Sequence, residues 1–189
     1  MARRVARAVL VVSALAGTSS GAVFGFESSA VGYFPSVVVM DGGVTMTVTR
    51  PSEPVQIALR TNYPAGWGSN AIFSTINAGT SFEPLIFDFD QGLSMLVFET
   101  GDFGADDDSV TVLAYDGPGA TGNQVSAVTV LWGLRNFTQV PPEVVTLSPS
   151  AGSIRSVSIS SVGFAGGQSM AYDNFNATVG GAGCEPDLT

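Results

Sequence analysis

The sequence predicts an all-β domain built as a two-sheet β-sandwich of the jelly-roll type. Short runs of alternating apolar and polar residues recur along the chain, and helical periodicity is nearly absent after the N-terminal segment. Clusters of Gly, Pro, Asn and Asp separate these runs, as is typical of turns. Many short strands with such turns favour a sandwich, with a closed barrel as the alternative; no internal repeat indicates a propeller or solenoid.

The N-terminal segment, residues 1–22, has the order of an export signal. Three arginines precede an apolar run over residues 8–16, and small residues follow it. The run is well short of the roughly 20 apolar residues that span a bilayer, so a permanent membrane helix is the weaker interpretation. Cleavage is expected after Ala16 or after Ala22, and the sequence does not choose between them.

The predicted strands follow in residues 23–179. Val44, Met46 and Val48 in GVTMTVT point one way, while the intervening threonines point the other. About ten such strands are expected, and other examples are SMLVFET, SVTVLAY, QVSAVTVLW, SIRSVSIS and SMAYDNFNAT. Residues 180–189 are small and polar, which indicates a linker. A lone cysteine, Cys184, lies in this tail and has no partner for an intrachain disulfide.

The charge of the chain excludes one class of partner. Without the signal, four arginines face 16 carboxylates, which leaves a net charge of −12. Such a protein repels phosphate backbones, so nucleic acid is not an expected ligand. Cations are the natural small partners, and no membrane insertion is expected after signal cleavage.

The chain contains no histidine and no lysine, which removes several catalytic mechanisms. A Ser-His-Asp triad, a Cys-His pair, histidine-ligated zinc and a lysine Schiff base are all excluded. A pair of carboxylates acting on a glycosidic bond stays formally possible. In so acidic a chain, however, a suitably spaced pair arises by chance, and we expect no catalytic residues.

The densest acidic segment is GDFGADDDSV, which contains Asp102, Asp106 and Asp108. A calcium ion takes six to eight oxygen ligands, and an acidic loop with glycine can supply them. The same residues also favour ordinary solvated turns. The spacing does not match an EF-hand, so a metal site and a solvated turn are both open.

A second candidate metal site pairs Glu27 with Asp173. Strand alternation in SMAYDNFNAT places Asp173 on one side with Ala171, Phe175 and Ala177, where a lone carboxylate is costly unless it is paired or metal-bound. Glu27 follows aromatic residues near the start of the domain. The two carboxylates meet if the first and last strands are neighbours; a pair of rim carboxylates bonded to loop amides is the alternative.

Aromatic residues on loops are the candidate ligand-binding groups. Tyr63 and Trp67 lie in TNYPAGWGSN, which is predicted to be a Pro/Gly loop, and Tyr33 and Phe34 are expected on a loop in the same way. Exposed rings of this kind bind sugars through their flat apolar faces. A packed turn is the favoured interpretation for Trp67, and Trp132, in a strand run, is predicted to lie in the core.

The segments FDFDQGLSMLVFETGDFGADDDSVTVLAYDGPG and SIRSVSISSVGFAGGQSMAYDNF carry a family resemblance. They resemble the β-sandwich domains of bacterial exported surface proteins, many of the exosortase-sorted (PEP-CTERM) type. The resemblance covers most of residues 24–179. It implies a jelly-roll module shaped like carbohydrate-binding modules, with a structural calcium near the first and last strands and Glu27 and Asp173 as its side-chain ligands.

The last six residues, CEPDLT, resemble the opening of the dockerin-like segment on exported planctomycete proteins. There a calcium loop begins with DLTGDG, so Asp187 and Thr189 would hold its first and third positions. The remaining ligands of such a loop are not among the 189 residues. The resemblance implies a cell-surface anchoring partner.

Together these observations predict a secreted or cell-surface, non-catalytic β-sandwich module that is stabilised by calcium. An extracellular polysaccharide is its candidate ligand. A purely structural display domain and a carboxylate-dependent glycan hydrolase or lyase are the alternatives.

Overall fold

A computed structural model describes residues 21–59, 67–74, 83–102, 108–133, 141–162 and 170–180. These residues form twelve strands and no helix, in agreement with the all-β prediction. The strands are β1 (Gly21–Phe24), β2 (Gly32–Phe34), β3 (Val37–Asp41), β4 (Val44–Thr49), β5 (Val55–Leu59), β6 (Asn70–Phe73), β7 (Leu85–Asp102), β8 (Asp108–Tyr115), β9 (Gln124–Gly133), β10 (Glu143–Leu147), β11 (Ile154–Val162) and β12 (Met170–Val179). No helix long and apolar enough to cross a membrane occurs in the described part of the chain.

The strands form two packed layers joined by the long strand β7. The start of β7 pairs with β4 and β11, whereas its end pairs with β12 and β10. The β12 layer therefore contains β2, β5, β6, β1, β12, the end of β7 and β10. The β11 layer contains β3, β4, the start of β7, β11, β8 and β9. All pairs are antiparallel, and the apolar side chains between the layers form the core of a β-sandwich.

Alternation along the strands builds this core as the sequence predicts. In β4, Val44, Met46 and Val48 are buried and the threonines between them are partly exposed. Trp132 is also buried, which confirms its predicted place in the core. Phe175 of β12 stacks between Phe87 and Phe98, with ring centroids 4.8 and 4.9 Å away. The core thus fixes the position of β12 near Asp173.

Strand β1 extends into the predicted signal segment. Gly21 and Ala22 pair with Thr178 and Ala177 of β12, and Ala22 is fully buried. The sandwich therefore includes the last two residues of the segment 1–22.

Candidate metal centre at the junction of the first and last strands

The first and last strands are neighbours, as the predicted meeting of Glu27 and Asp173 requires. β1 pairs antiparallel with β12, and Phe24 lies opposite Phe175. The chain leaves β1 through a turn in which the Ser29 N–H donates to the Phe26 carbonyl at 2.9 Å. We call the region formed by Glu27, Glu99, Asp173 and segment 67–70 the junction.

Glu27 is held in the junction by segment 67–70. Its carboxylate accepts the Asn70 main-chain N–H at 2.9 Å and the Ser69 hydroxyl at 3.1 Å. The Asn70 amide in turn donates to the Ser29 carbonyl at 3.1 Å, which fixes the turn. Burial raises the pKa of Glu27, but these hydrogen bonds to the ionised form outweigh it, so the pKa is lowered. Glu27 is therefore a pre-positioned carboxylate.

Gly68 makes the approach of Glu27 possible. A Cβ atom added at Gly68 would lie 1.9 Å from the Glu27 carboxyl carbon, so the two cannot keep their present positions. A methyl group at this position must displace the carboxylate from Ser69 and Asn70.

We expect Gly68→Ala to lower the free energy of unfolding by about 1–2 kcal/mol, the cost of losing hydrogen bonds to a charged group. Gly25→Ala is the matched control beside the junction, because its added Cβ would lie 4.0 Å from the nearest atom, Asp173 Oδ1. Urea unfolding measures both variants. Equal stability of the two would show that segment 67–70 does not hold Glu27.

Asp173 lies at a β-bulge that changes the direction of side chains along β12. Asp173 pairs with Glu99 and Asn176 pairs with Val97, so β12 has one residue more than β7 between these pairs. Asn174 takes up the extra residue with a positive φ of 53°. Uninterrupted alternation had placed Asp173 on the side of Phe175 and Ala177. The prediction is wrong for Phe175 and Ala177 but holds for Ala171, because the bulge leaves Asp173 and Ala171 together on the opposite face.

Asp173 is nevertheless buried, with only 2% of its surface exposed. Within the described residues its Oδ1 atom has no hydrogen-bond partner. Burial raises the pKa of Asp173 to about 7; the Asn174 N–H opposes this effect, and the nearby carboxylates of Glu27 and Glu99 add to it. Among the described residues, no positively charged side chain forms an ion pair with Asp173, and a bound cation would supply the missing charge.

Glu99 and Trp67 complete the junction. Glu99 lies opposite Asp173 in the sheet and accepts the Asn174 amide at 2.8 Å. It also accepts the indole N–H of Trp67. Trp67 is only 6% exposed and packs against Ala58, Ala71, Phe73 and Ala171 on the outer face of the β12 layer. Trp67 is therefore packed, as the sequence favoured, and offers no exposed face to a sugar; the residues just before it, 60–66, lie outside the described part of the chain.

The atoms that the junction offers as metal ligands are oxygens. Glu27 and Asp173 offer carboxylates, and main-chain carbonyls such as those of Phe26 and Ser29 lie in the same turn. Such oxygen sets suit hard cations, calcium above all. No three His, Cys, Asp or Glu side chains in the described ranges are arranged to hold a metal ion, so carbonyl and water oxygens would have to supply the other ligands.

No family model matches the chain. No curated protein matches it either. Among solved structures, it is similar to a DUF4465 family protein from Bacteroides caccae, with 14% identity and a TM-score of 0.48 over 91% of this chain and 99% of that one. The cleaved adhesin domain of Lys-gingipain from Porphyromonas gingivalis has 14% identity and a TM-score of 0.48 over 86% and 99%.

A third similar structure holds the CBM22-1 and GH10 modules of a Clostridium thermocellum endo-1,4-β-D-xylanase in complex with xylohexaose. It has 11% identity and a TM-score of 0.43, over 87% of this chain and 29% of that one. Similarity at these levels carries no inference about ligand or activity. The function of this chain therefore rests on its own side chains.

The acidic segment around Asp102 differs from its prediction. Asp102 ends β7 and Asp108 begins β8; both are buried and both make contacts within the protein. The solvated-turn interpretation is therefore wrong for these two residues. Alternation in β8 could have shown it, because Asp108 shares its side with Val110, Val112 and Ala114. Asp106 and Tyr63 lie outside the described residues.

Sequence reasoning missed Glu99 and Asn70. Glu99 belongs to a predicted strand run, but only the register of β7 against β12 brings it opposite Asp173. Asn70 carries no recognisable motif, since its role depends on the fold of the chain around Glu27.

Proposed function

We propose that this chain is an exported, non-catalytic β-sandwich module that binds calcium at the junction and a glycan on its surface. The observation that carries the calcium proposal is the buried Asp173 carboxylate, whose Oδ1 atom has no hydrogen-bond partner in the described residues. A carboxylate in this state destabilises the fold unless a proton or a cation neutralises it.

Calcium suits the junction better than other metals do. Histidine is absent from the chain and the single cysteine lies in the tail, so the soft and nitrogen donors that transition metals prefer are missing here. Calcium accepts irregular sets of carboxylate, carbonyl and water oxygens, whereas magnesium demands nearly ideal octahedral geometry. The resemblance to exported β-sandwich domains implies the same ion and the same two carboxylates.

The residues that the chain offers argue against catalysis. Histidine and lysine are absent, and the carboxylates of Glu27 and Glu99 are taken up by hydrogen bonds from Ser69, Asn70, Trp67 and Asn174. A glycosidase needs one carboxyl group as acid and another as base or nucleophile across a cleft. The lowered pKa of Glu27 does not suit the acid of such a pair, whereas an ionised, pre-positioned carboxylate suits a calcium ligand.

Thermal unfolding of the purified protein tests the calcium proposal. Calcium should raise the melting temperature relative to chelator, and magnesium at the same concentration should raise it much less. Equal melting temperatures in calcium and in chelator would overturn the calcium proposal and leave a structural display domain as the better interpretation.

Export with cleavage after Ala16 is a further expectation of the proposal. Cleavage after Ala22 would remove half of β1, including the fully buried Ala22, and Gly21 and Ala22 pack closely against the turn at Gly42. N-terminal sequencing of the exported protein from a bacterial host should therefore start at Gly17. Ala16→Gln should block processing, because the position before the cut requires a small residue. A mature chain that starts at Val23 would contradict this expectation.

A further inference from the structure

Tyr33 is an exposed aromatic residue on a rigid strand. It lies in the middle of β2 with 52% of its surface exposed, and no other aromatic side chain in the described residues is exposed to this degree. β2 is hydrogen-bonded to β5, and Tyr33 lies directly opposite Gln56. A ring held on a paired strand loses little conformational freedom on binding a ligand.

Alternation places Tyr33 and Gln56 on the outer face of the β12 layer. The neighbours of Tyr33 and Gln56 that point the other way are Phe34, which packs against the core, and Ile57, which belongs to it. The outer face therefore presents an aromatic ring beside a primary amide. An amide both donates and accepts hydrogen bonds, as recognition of sugar hydroxyls requires.

A shallow cavity of about 210 Å³ lies beside β2, between β2 and β3. Its walls include Phe34, Val37 and Ile57, and the hydroxyl-bearing Ser29 and Ser36 lie at its surface. None of its lining residues is charged. This volume is below the roughly 300–1,000 Å³ of small-ligand sites, and Tyr33 and Gln56 do not line the cavity, so it is not part of the outer face.

We infer that Tyr33 and Gln56, side by side on the outer face of the β12 layer, form a binding site for an uncharged glycan. The inference rests on the proposed glycan-binding function and assigns it a location. A sugar ring stacks its apolar face on Tyr33, while Gln56 bonds its hydroxyls. The net charge of −12 for the chain without residues 1–22 disfavours anionic polysaccharides.

Affinity electrophoresis in calcium tests this site. The probes are hydroxyethylcellulose, dextran and galactomannan as neutral polysaccharides and alginate as an anionic one. We expect retardation by at least one neutral probe and none by alginate. Tyr33→Ala should weaken that binding roughly tenfold, the loss expected for one aromatic contact. Tyr33→Phe should retain most of it, and Gln56→Ala should weaken it.

Leu131→Ala is the matched control, because Leu131 is more exposed than Tyr33 but lies on β9 in the other layer. Unchanged melting temperatures establish that the variants fold. If the wild type binds a neutral probe and Tyr33→Ala binds it equally well, this site is wrong and the glycan-binding function stands. If the wild type binds no probe, both the Tyr33 site and the glycan-binding function are wrong. The calcium proposal is tested separately by thermal unfolding. Equal binding of alginate would overturn the uncharged ligand class.

Discussion

Asp173→Asn should raise the melting temperature of the calcium-free protein and abolish any further rise on addition of calcium. The asparagine keeps the shape of the side chain and removes a charge that lies beside Glu27 and Glu99 in a buried position. A residue that merely accepts structural hydrogen bonds would lose stability on this change. A higher melting temperature of Asp173→Asn in chelator would therefore show that the wild-type carboxylate needs a cation to balance its charge.

The measurement should be made at pH 8. Burial and the neighbouring carboxylates raise the pKa of Asp173 to about 7, above its ordinary value of 3.8. The folded calcium-free protein thus binds this proton more tightly than the unfolded chain, and the resulting stability is lost as the pH rises from about 4 to about 7. At pH 8 the wild-type carboxylate is ionised, and the advantage of asparagine is largest.

The size of the calcium effect follows from mass action. At 100 times the dissociation constant, a ligand that binds only the folded state contributes about 2.7 kcal/mol. For a domain of this length, each kcal/mol shifts the melting temperature by roughly 2–4 °C, so the wild type should gain about 5–10 °C. Differential scanning calorimetry with and without calcium measures both proteins.

Asp90→Asn is the control for the loss of one carboxylate. Asp90 is exposed and accepts the Thr45 N–H at 2.8 Å, away from the junction. This variant should keep the full calcium response. A calcium response that survives in Asp173→Asn, or a loss of stability of that variant in chelator, would show that Asp173 is not a calcium ligand.

Much of the fold could be predicted because period-two alternation is a local property. Val44, Met46 and Val48 are buried as expected, and SVTVLAY alternates throughout β8. The burial of Asp108 was available from the same rule, but the density of aspartates and glycine suggested a turn instead. At Asp108 the local composition predicted a turn and the strand periodicity predicted a buried residue, and the structure agrees with the periodicity.

The junction could be predicted only in part, because its geometry depends on contacts distant in sequence. The sequence suggested Glu27 and Asp173, and the pairing of β1 with β12 brings their segments together. The bulge at Asn174 has no local signal, since asparagine is one of several residues that adopt a positive φ. The register of β7 against β12 brings Glu99 into the junction, and packing on the outer face brings Trp67 there.

Arg50→Met should lower the free energy of unfolding by about 3 kcal/mol, the range expected when a buried charge network loses one member. Arg50 follows β4, and its side chain is fully buried. Its Nη2 atom donates to the Phe73 carbonyl at 3.1 Å and also to the Ser74 carbonyl, at the end of β6. Since β4 and β6 belong to different layers, this guanidinium ties the two layers together.

Arg50→Lys separates the charge from the geometry. Lysine keeps a positive charge near Glu53, whose carboxylate lies 3.6 Å from Arg50 Nη1, but it lacks the fork that reaches two carbonyls. We expect an intermediate loss of about 1–2 kcal/mol from the missing hydrogen bonds. Guanidinium chloride unfolding compares these variants with Arg155→Met.

Arg155 is the matched reference because it is only partly buried and donates one bond, from Nε to the Phe89 carbonyl at 3.2 Å. Its loss should cost less than about 1 kcal/mol. If Arg50→Met proved as mild as Arg155→Met, burial of apolar side chains alone would hold the layers together. A large loss confined to Arg50 would instead identify a charged contact between the layers as a main determinant of stability; the other buried charged residues in the described ranges are Asp102, Asp108 and Asp173.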